Sequence, residues 1–342
     1  MEFIPFQEAG KEENVIVVDA YLPGKLNLSH WRGVELPFYL QADTSTEIVL
    51  NALLSDQIDL KNYNCCTNNH FDIDGFLGVW ALQNPELAIA NFPLLAQMAR
   101  IGDFRELDLN SPIFDQALSL VCYINQQEKE LFYPPFAMNN QEDIACVPKY
   151  EYFLNEFANY IQNREVIESD EYLLVRSQLA DLKEQGTQTF YPNIRLLVLE
   201  SPYPMHYYPL FAKSDQMDMV LTIYPDNRYE LESKYTTWVQ TIRKSFPRIL
   251  LEHLANELNQ VETSGNKWKG DHFTDTGPIL RIENGSLSKE ERFDNPMNRT
   301  IHSSSIDKKE LIALIVDYLK GKYQNVSPQI NWSWEQLRAF NG

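Results

Sequence analysis

The sequence predicts an α/β protein of two domains, and three observations predict it. The run VIVV in ENVIVVDAYLPG, residues 15–18, is β-branched and closed by Asp, Pro and Gly, so it reads as a strand buried on both faces of a parallel sheet. Amphipathic helical stretches follow it as far as residue 186. Beyond residue 190 several strand-like segments, each closed by turn residues, replace them. The 342 residues fit one large or two ordinary domains. A chain of that size can bury roughly 75% of its unfolded surface and needs no disulfide staples.

In chain order, ADTSTEIVLNALLSD predicts a helix capped by Thr44 or Ser45, with Glu47 in its first turn and Ile48, Leu50, Leu53 and Leu54 as its apolar side. NYNCCTNNHFDID reads as a second strand running into a loop. GFLGVWALQ starts a helix, ELAIANFPLLAQMARIGDFREL is another, and SPIFDQALSLVCYINQQEKEL is a third, with Ser111 as cap and Pro112 at its first position. A Pro- and Asn-rich break, YPPFAMNNQEDIACVPKY, covers 133–150, and 150–186 reads as a polar helical pair. NIRLLVLESP, HYYPLFAKS, MDMVLTIYP and RYELESKYTTWV read as strands, the last two joined by a PDNR turn. FPRILLEHLANELNQVE is a helix opened by Pro247, TSGNKWKGDHFTDTGPILRI a glycine-rich polar stretch, and DKKELIALIVDYLKGKYQ a last helix. The domains are therefore expected at 1–150 and 191–342, with a helical linker at 151–190.

The net charge of −19 argues against long nucleic acid, whose phosphates demand a basic surface. A small anionic substrate stays open, because bound metal ions reverse a local field. Cys65, Cys66, Cys122 and Cys146 show no C-x-x-C spacing and read as buried, reduced thiols. MEFIPFQEAGKEEN lacks the basic and apolar regions of a signal peptide, and no apolar run approaches the roughly 18 residues of a membrane span. A cytoplasmic location is expected, and Asn298-Arg299-Thr300 carries no glycosylation meaning.

NNHFDIDGFLGVWAL carries the candidate chemistry. On an extended backbone His70, Asp72 and Asp74 would project to one side from a strand end, and Gly75 would permit a sharp turn. Carboxylates gathered with an imidazole call for a cation, and this donor set suits Mn²⁺ or Mg²⁺, one or two ions, rather than a thiolate-bound metal. An EF-hand is excluded, since its twelfth position would fall on Ala81. A purely structural reading makes these aspartates caps over a helix N-terminus.

HFDIDGFLGVWAL resembles the first motif of the DHH phosphoesterases, H-x-D-x-D-G, which ends a strand and opens a helix. MARIGDFREL is similar to that family's later apolar-Gly-Asp motif, which makes Asp103 a ligand. Ser45, Thr46 and Glu47 resemble the helix after the DHH triplet. VIVVDAYLP resembles the strand bearing that triplet, with Asp19 first. The triplet here is Asp19-Ala20-Tyr21, so its two histidines are missing, and the strand precedes HFDIDG, so the order is rearranged. His30, in LNLSHWRG, is a candidate replacement. HFDIDG with Val79-Trp80 also resembles a bacterial family without an assigned activity. The DHH resemblance, over residues 13–110, implies an N-terminal metal domain with a mostly parallel sheet and flanking helices, a smaller α+β substrate domain, and two Mn²⁺ ions activating water against a phosphoester or phosphoanhydride. His70, Asp72, Asp74 and Asp103, with Asp19, would carry the chemistry. FDIDGFL and GDFRELD, with Asp103 and Asp108, also resemble the haloacid-dehalogenase phosphatases, with Asp72 as nucleophile, but no apolar strand directly precedes Asp72, and Phe76 stands where that family has Thr. A non-catalytic metal- or ligand-binding protein on the DHH-like scaffold is the alternative of a different class.

In the C-terminal half, Lys267, Lys269, His272 and Arg281 are cations in an acidic chain, Gly270 and Gly277 allow backbone approach, and Trp268 could stack on a flat ring. They read equally as solvated surface. His302 with Ser303, Ser304 and Ser305 is a second phosphate contact or a cap before the last helix. His253 reads as surface or core, and His206, among aromatics, as a satisfied, partly buried histidine.

Overall fold

A computed structural model describes residues 1–132, 141–163, 165–234, 238–285, 288, 291–292 and 294–342. Its α/β architecture contains a four-stranded parallel sheet and a six-stranded mixed sheet, with helices. The chain divides into two compact units, Met1–Leu174 with Gln240–Ile242, and Val175–Val239 with Arg243–Gly342. The division after Leu174 falls inside a helix, within the stretch expected to be a linker. Residues 133–140 of the Pro- and Asn-rich break, residue 164 of the helical pair, and residues 235–237 of RYELESKYTTWV lie outside the described residues.

In the first unit, β1 (Glu2–Phe3), β2 (Val15–Val18), β3 (Leu26–Leu28) and β4 (Cys65–Thr67) run parallel in the order β1-β4-β2-β3. All four side chains of β2 are fully buried, as its unbroken apolar run required. β1 and β3 escaped the sequence reading because two or three residues are too few to show a period. Only residues 19–25 join β2 to β3, where a parallel crossover ordinarily takes a dozen or more. The Asn27 side chain staples this short loop: Oδ1 accepts from the Leu22 amide at 2.8 Å, and Nδ2 donates to the carbonyls of Leu22 at 3.1 Å and Lys25 at 2.9 Å. Asp19 enters the loop with φ 48°, the left-handed region that aspartate visits more readily than most residues.

The helices of this unit are α1 (Phe6–Ala9), α2 (Ser45–Leu54), α3 (Ile73–Gln83), α4 (Pro85–Ala90), α5 (Phe92–Phe104), α6 (Phe114–Leu131), α7 (Glu142–Ala145), α8 (Val147–Asn163) and α9 (Asp170–Gln185), the last running on into the second unit. Thr44 caps α2, accepting from the Glu47 amide, but Leu54 is exposed and Val49 and Ala52 are buried in its stead. The single helix expected over 86–107 is two, because Asn91 ends one and Pro93 suits only the first turn of the next. α6 starts at Phe114, not at Pro112; Ser111 instead closes a preceding turn, its carbonyl accepting from the Phe114 amide at 3.1 Å.

In the second unit, β5 (Thr187–Tyr191), β6 (Leu196–Glu200), β7 (Met219–Tyr224), β8 (Arg228–Ser233), β9 (Lys267–Gly270) and β10 (Ile279–Glu283) lie in the order β5-β6-β7-β8-β10-β9, with only β6 and β7 parallel. Asp226 and Asn227, both at positive φ, make the expected hairpin turn between β7 and β8. One sheet face packs on α11 (Leu251–Val261) and α12 (Lys308–Tyr323). The other packs Leu197, Leu199 and Val220 on Met205, Leu210 and Phe211. HYYPLFAKS is not a strand: α10 (Tyr207–Phe211) forms there, its N-terminus capped by His206 Nδ1 accepting from the Tyr208 amide. α11 begins four residues after Pro247, the glycine-rich stretch is the β9–β10 hairpin, and α13 (Trp334–Asn341) adds a short helix closed by a Ser333–Gln336 capping box. No helix among the described residues is long and apolar enough to cross a membrane.

Two glycines set how closely the helices of the first unit approach. A Cβ on Gly78 of α3 would meet Val18 Cγ1 of β2 at 2.6 Å, and one on Gly102 of α5 would meet Ile73 Cβ at the start of α3 at 2.6 Å. Gly78→Ala would gain about 1 kcal/mol of helix propensity but overpack the core at a cost of about 1–3 kcal/mol. A net loss of stability is expected in urea unfolding, and an unchanged or raised midpoint would disprove the close contact between α3 and β2.

Candidate metal centre

The centre lies at the carboxyl ends of β2, β3 and β4, the edge where open parallel sheets bind ligands. The end of β2 supplies Asp19, and the residues after β3 supply His30. The loop after β4 supplies His70, and α3 and α5 bring Asp72, Asp74 and Asp103. They come from four separate stretches of the chain, around residues 19, 30, 70–74 and 103, and the parallel alignment of the strands helps to gather them.

Asp19 joins the cluster in two directions. Its Oδ1 lies 3.2 Å from His30 Nε2 and accepts from the Ser45 hydroxyl at 2.7 Å. Its Oδ2 lies 3.3 Å from His70 Nε2. His30 Nε2 is also 3.4 Å from Asp103 Oδ2 and 3.8 Å from Asp74 Oδ2, and His70 Nε2 is 3.2 Å from Asp72 Oδ2. Two sets result, Asp19–His30–Asp74 and Asp19–His70–Asp72, each with one donor atom per residue and all three atoms within 4.8 Å of one another. Asp103 touches His30 but belongs to neither set. The first set is sealed from solvent, whereas the side chains of His70 and Asp72 are 27% and 40% exposed.

The alternation read in HFDIDG does not place these groups, since the strand ends at Thr67. Asp72 is instead the cap of α3, accepting from the Gly75 amide at 2.8 Å, and Asp74 is helical. Asp74 accepts from the amides of Ser45 and Thr46, both at 2.7 Å, and so closes the N-terminus of α2. Gly75 makes no turn; it leaves room for Asn68, whose Nδ2 would lie 2.0 Å from a Cβ there. The capping aspartates of the structural reading are thus present, within a cluster that offers more than caps.

Both imidazoles are anchored as metal-binding histidines are. His30 Nδ1 meets the Asp43 carbonyl at 2.6 Å and His70 Nδ1 meets Asn69 Oδ1 at 2.8 Å, which turns each Nε2 toward the carboxylates. Burial alone would push His30 down, but its hydrogen bond to Asp19 and the charges of Asp103, Asp19 and Asp74 push it up to about 10. His70 is raised as well, against burial, by Asp72 and Asp19. Burial opposes ionisation of Asp19 too, yet its hydrogen bonds to His30 and His70 hold it well below the usual carboxylate range. Burial, then the Asp19 charge, pushes Asp74 up to about 7, and burial, then the Asp74 charge, pushes Asp103 well up. The donor set, two Nε2 atoms with carboxylate oxygens and no thiolate, fits a hard or borderline divalent cation.

The C-terminal candidates are committed elsewhere. Trp268, inward on β9, is buried against the core with its ring stacked on Tyr229 and its Nε1 donating to Glu262 at 3.1 Å, so it offers no stacking face. Lys269 pairs with Glu283 at 3.2 Å, and buried Arg281 pairs with Glu283 at 3.0 Å. His272 meets the Thr274 hydroxyl at 2.7 Å. Ser304 and Ser305 donate to Glu262, Asp307 caps α12, and His253 is exposed on α11. The period-2 reading of Lys267-Trp268-Lys269 was available in the sequence and would have turned the tryptophan inward.

An α/β protein with a carboxylate–imidazole centre at the ends of parallel strands is the class that this geometry defines. The chain belongs to a family of unknown function, DUF6687, which it matches over residues 1–330. No curated protein matches it.

Cation binding at this centre must displace protons from the raised imidazoles and from Asp74, because only the deprotonated forms ligate. Mn²⁺ affinity measured by calorimetry is therefore expected to rise with pH, most steeply below about 7, where Asp74 as well as the imidazoles must lose a proton, with net proton release detected in buffers of different ionisation heat. Affinity that is flat from acid to neutral pH would exclude these residues as ligands.

Proposed function

We propose that this chain is a divalent-cation-dependent hydrolase acting on a phosphoester or phosphoanhydride in a small substrate, on a rearranged DHH-like scaffold. One observation carries the reading: the Asp19 carboxylate faces His30 with one oxygen and His70 with the other, so two donor sets share one bridging group. His70, Asp72 and Asp19 would hold one Mn²⁺ or Mg²⁺, and His30, Asp74 and Asp19 a second. His30, after β3, provides an imidazole that Asp19-Ala20-Tyr21 lacks. Divalent cations bound there would polarise a phosphoryl oxygen and lower the pKa of water.

The remaining work belongs to the side chains. Ser45 and the two imidazoles fix the Asp19 carboxylate in orientation. The Asp43 carbonyl and the Asn69 side chain hold the tautomers. Asp103, whose carboxyl burial and the Asp74 charge push well up, lies 3.4 Å from His30 Nε2. Substrate reaches the half-exposed His70–Asp72 side, since the other set is closed to solvent. Use of Asp72 as a dehalogenase-type nucleophile has less support, because residues 68–71 intervene after β4 and the carboxylate caps α3. A cation-binding protein without turnover is the second reading, and the double role of Asp74 as helix cap favours it.

Bis-p-nitrophenyl phosphate and p-nitrophenyl phosphate with Mn²⁺ test the proposal. Turnover is expected, and His70→Ala or His30→Ala should lower it on the order of a hundredfold or more, at least what loss of an outer-shell metal partner costs. Stoichiometric Mn²⁺ binding with hydrolysis no faster than buffer, across both substrates and pyrophosphate, would reject the hydrolase in favour of the binding protein.

A further inference from the structure

We propose that Asn68 and Tyr150 form a two-donor cradle for a tetrahedral oxyanion held at the Asp19–His70–Asp72 half of the centre, an inference that rests on the metal-dependent reading above. Both side chains are fully buried. Among the described residues, neither Asn68 Nδ2 nor the Tyr150 hydroxyl has a hydrogen-bond partner. Asn68 lies near enough to act on the Tyr150 hydroxyl, but the two do not meet in a hydrogen bond of proper geometry. Buried donors without acceptors are costly and rare, so two together call for a missing acceptor.

Their position says which acceptor. The place a Gly75 Cβ would take lies 2.0 Å from Asn68 Nδ2 and 3.1 Å from Asp72 Oδ1, so the amide and the carboxylate share the first turn of α3. Asn68 Oδ1 accepts from the Asn69 amide at 2.6 Å, which fixes the amide plane. The Tyr150 ring is clamped by Phe3 at 4.5 Å and Phe71 at 5.3 Å, so its hydroxyl cannot swing out to water. Asp72 and Asp19 both act on that hydroxyl, and burial keeps it protonated, a donor. Two neutral donors beside carboxylates suit an anion only when cations offset the carboxylates. Phosphate oxygens satisfy both conditions.

Orthophosphate titrated calorimetrically into the full chain with saturating Mg²⁺ tests this, for wild type, Tyr150→Phe and Asn68→Ala. Each variant is expected to bind phosphate about 10- to 100-fold more weakly, the worth of a hydrogen bond to a charged group, with Mg²⁺ affinity unchanged. Tyr150→Phe should melt no lower than wild type, since it removes a buried hydroxyl that has no partner. Phosphate affinity unchanged in both variants, or lost only together with Mg²⁺, overturns the cradle. Wild type that binds Mg²⁺ but not phosphate overturns the cradle alone, whereas wild type that binds no divalent ion overturns the metal reading with it.

Discussion

The contact on which the first unit's chemistry depends is the grip of two imidazoles on one buried carboxylate. Asp19 is almost wholly inaccessible, and a lone carboxylate there would take up a proton rather than stay charged. His30 and His70 keep it ionised, and it raises both of them in return. Asp19 meets both imidazoles from a backbone at positive φ, off the extended path of β2, so a change in its backbone angles would move the carboxylate. Backbone conformation and electrostatics are therefore a single constraint at this residue.

Close packing supports that constraint from behind. Gly78 lets α3 lie against β2, and Gly102 lets α5 lie against the start of α3, which brings the adjacent Asp103 within reach of His30. Asp74 ties α3 to α2 through two amides. The helices cannot shift without moving the carboxylates, so the positions of the acidic groups are as firm as the core itself.

Much of this was legible in the chain and some was not. The buried strand before Asp19, the helix after Thr44 and the involvement of His70, Asp72, Asp74 and Asp103 in one cluster all follow from local pattern and motif, and the structure brings those side chains together. The reason given for their meeting did not hold, because a helix cap and a second helix end, not strand alternation, orient Asp72 and Asp74. His30 stood only as a candidate replacement for the missing histidines, since nothing near LNLSHWRG shows that three-residue β3 pairs beside β2. Asn68 and Tyr150 were invisible: a shared need for an acceptor between residues 82 positions apart appears only after folding. In the second unit the errors were of another kind. Lys269, Arg281 and Trp268 look like a binding surface when read as a loop, and become a hairpin's ion pairs and core once β10 lies beside β9.

The seven-residue, Asn27-stapled connection between β2 and β3 bears on how the centre assembles. Closing so short a loop costs little chain entropy, so the Asp19–His30 contact is of low contact order and can form early from one local stretch. The partnership with His70 requires β4 to find β2 from fifty residues further along, as Val15 pairs with Cys65. Only the Asp19–His30 contact is local in this sense, because Asp74 completes the sealed set, and His70 and Asp72 the open one, from the far side of β4.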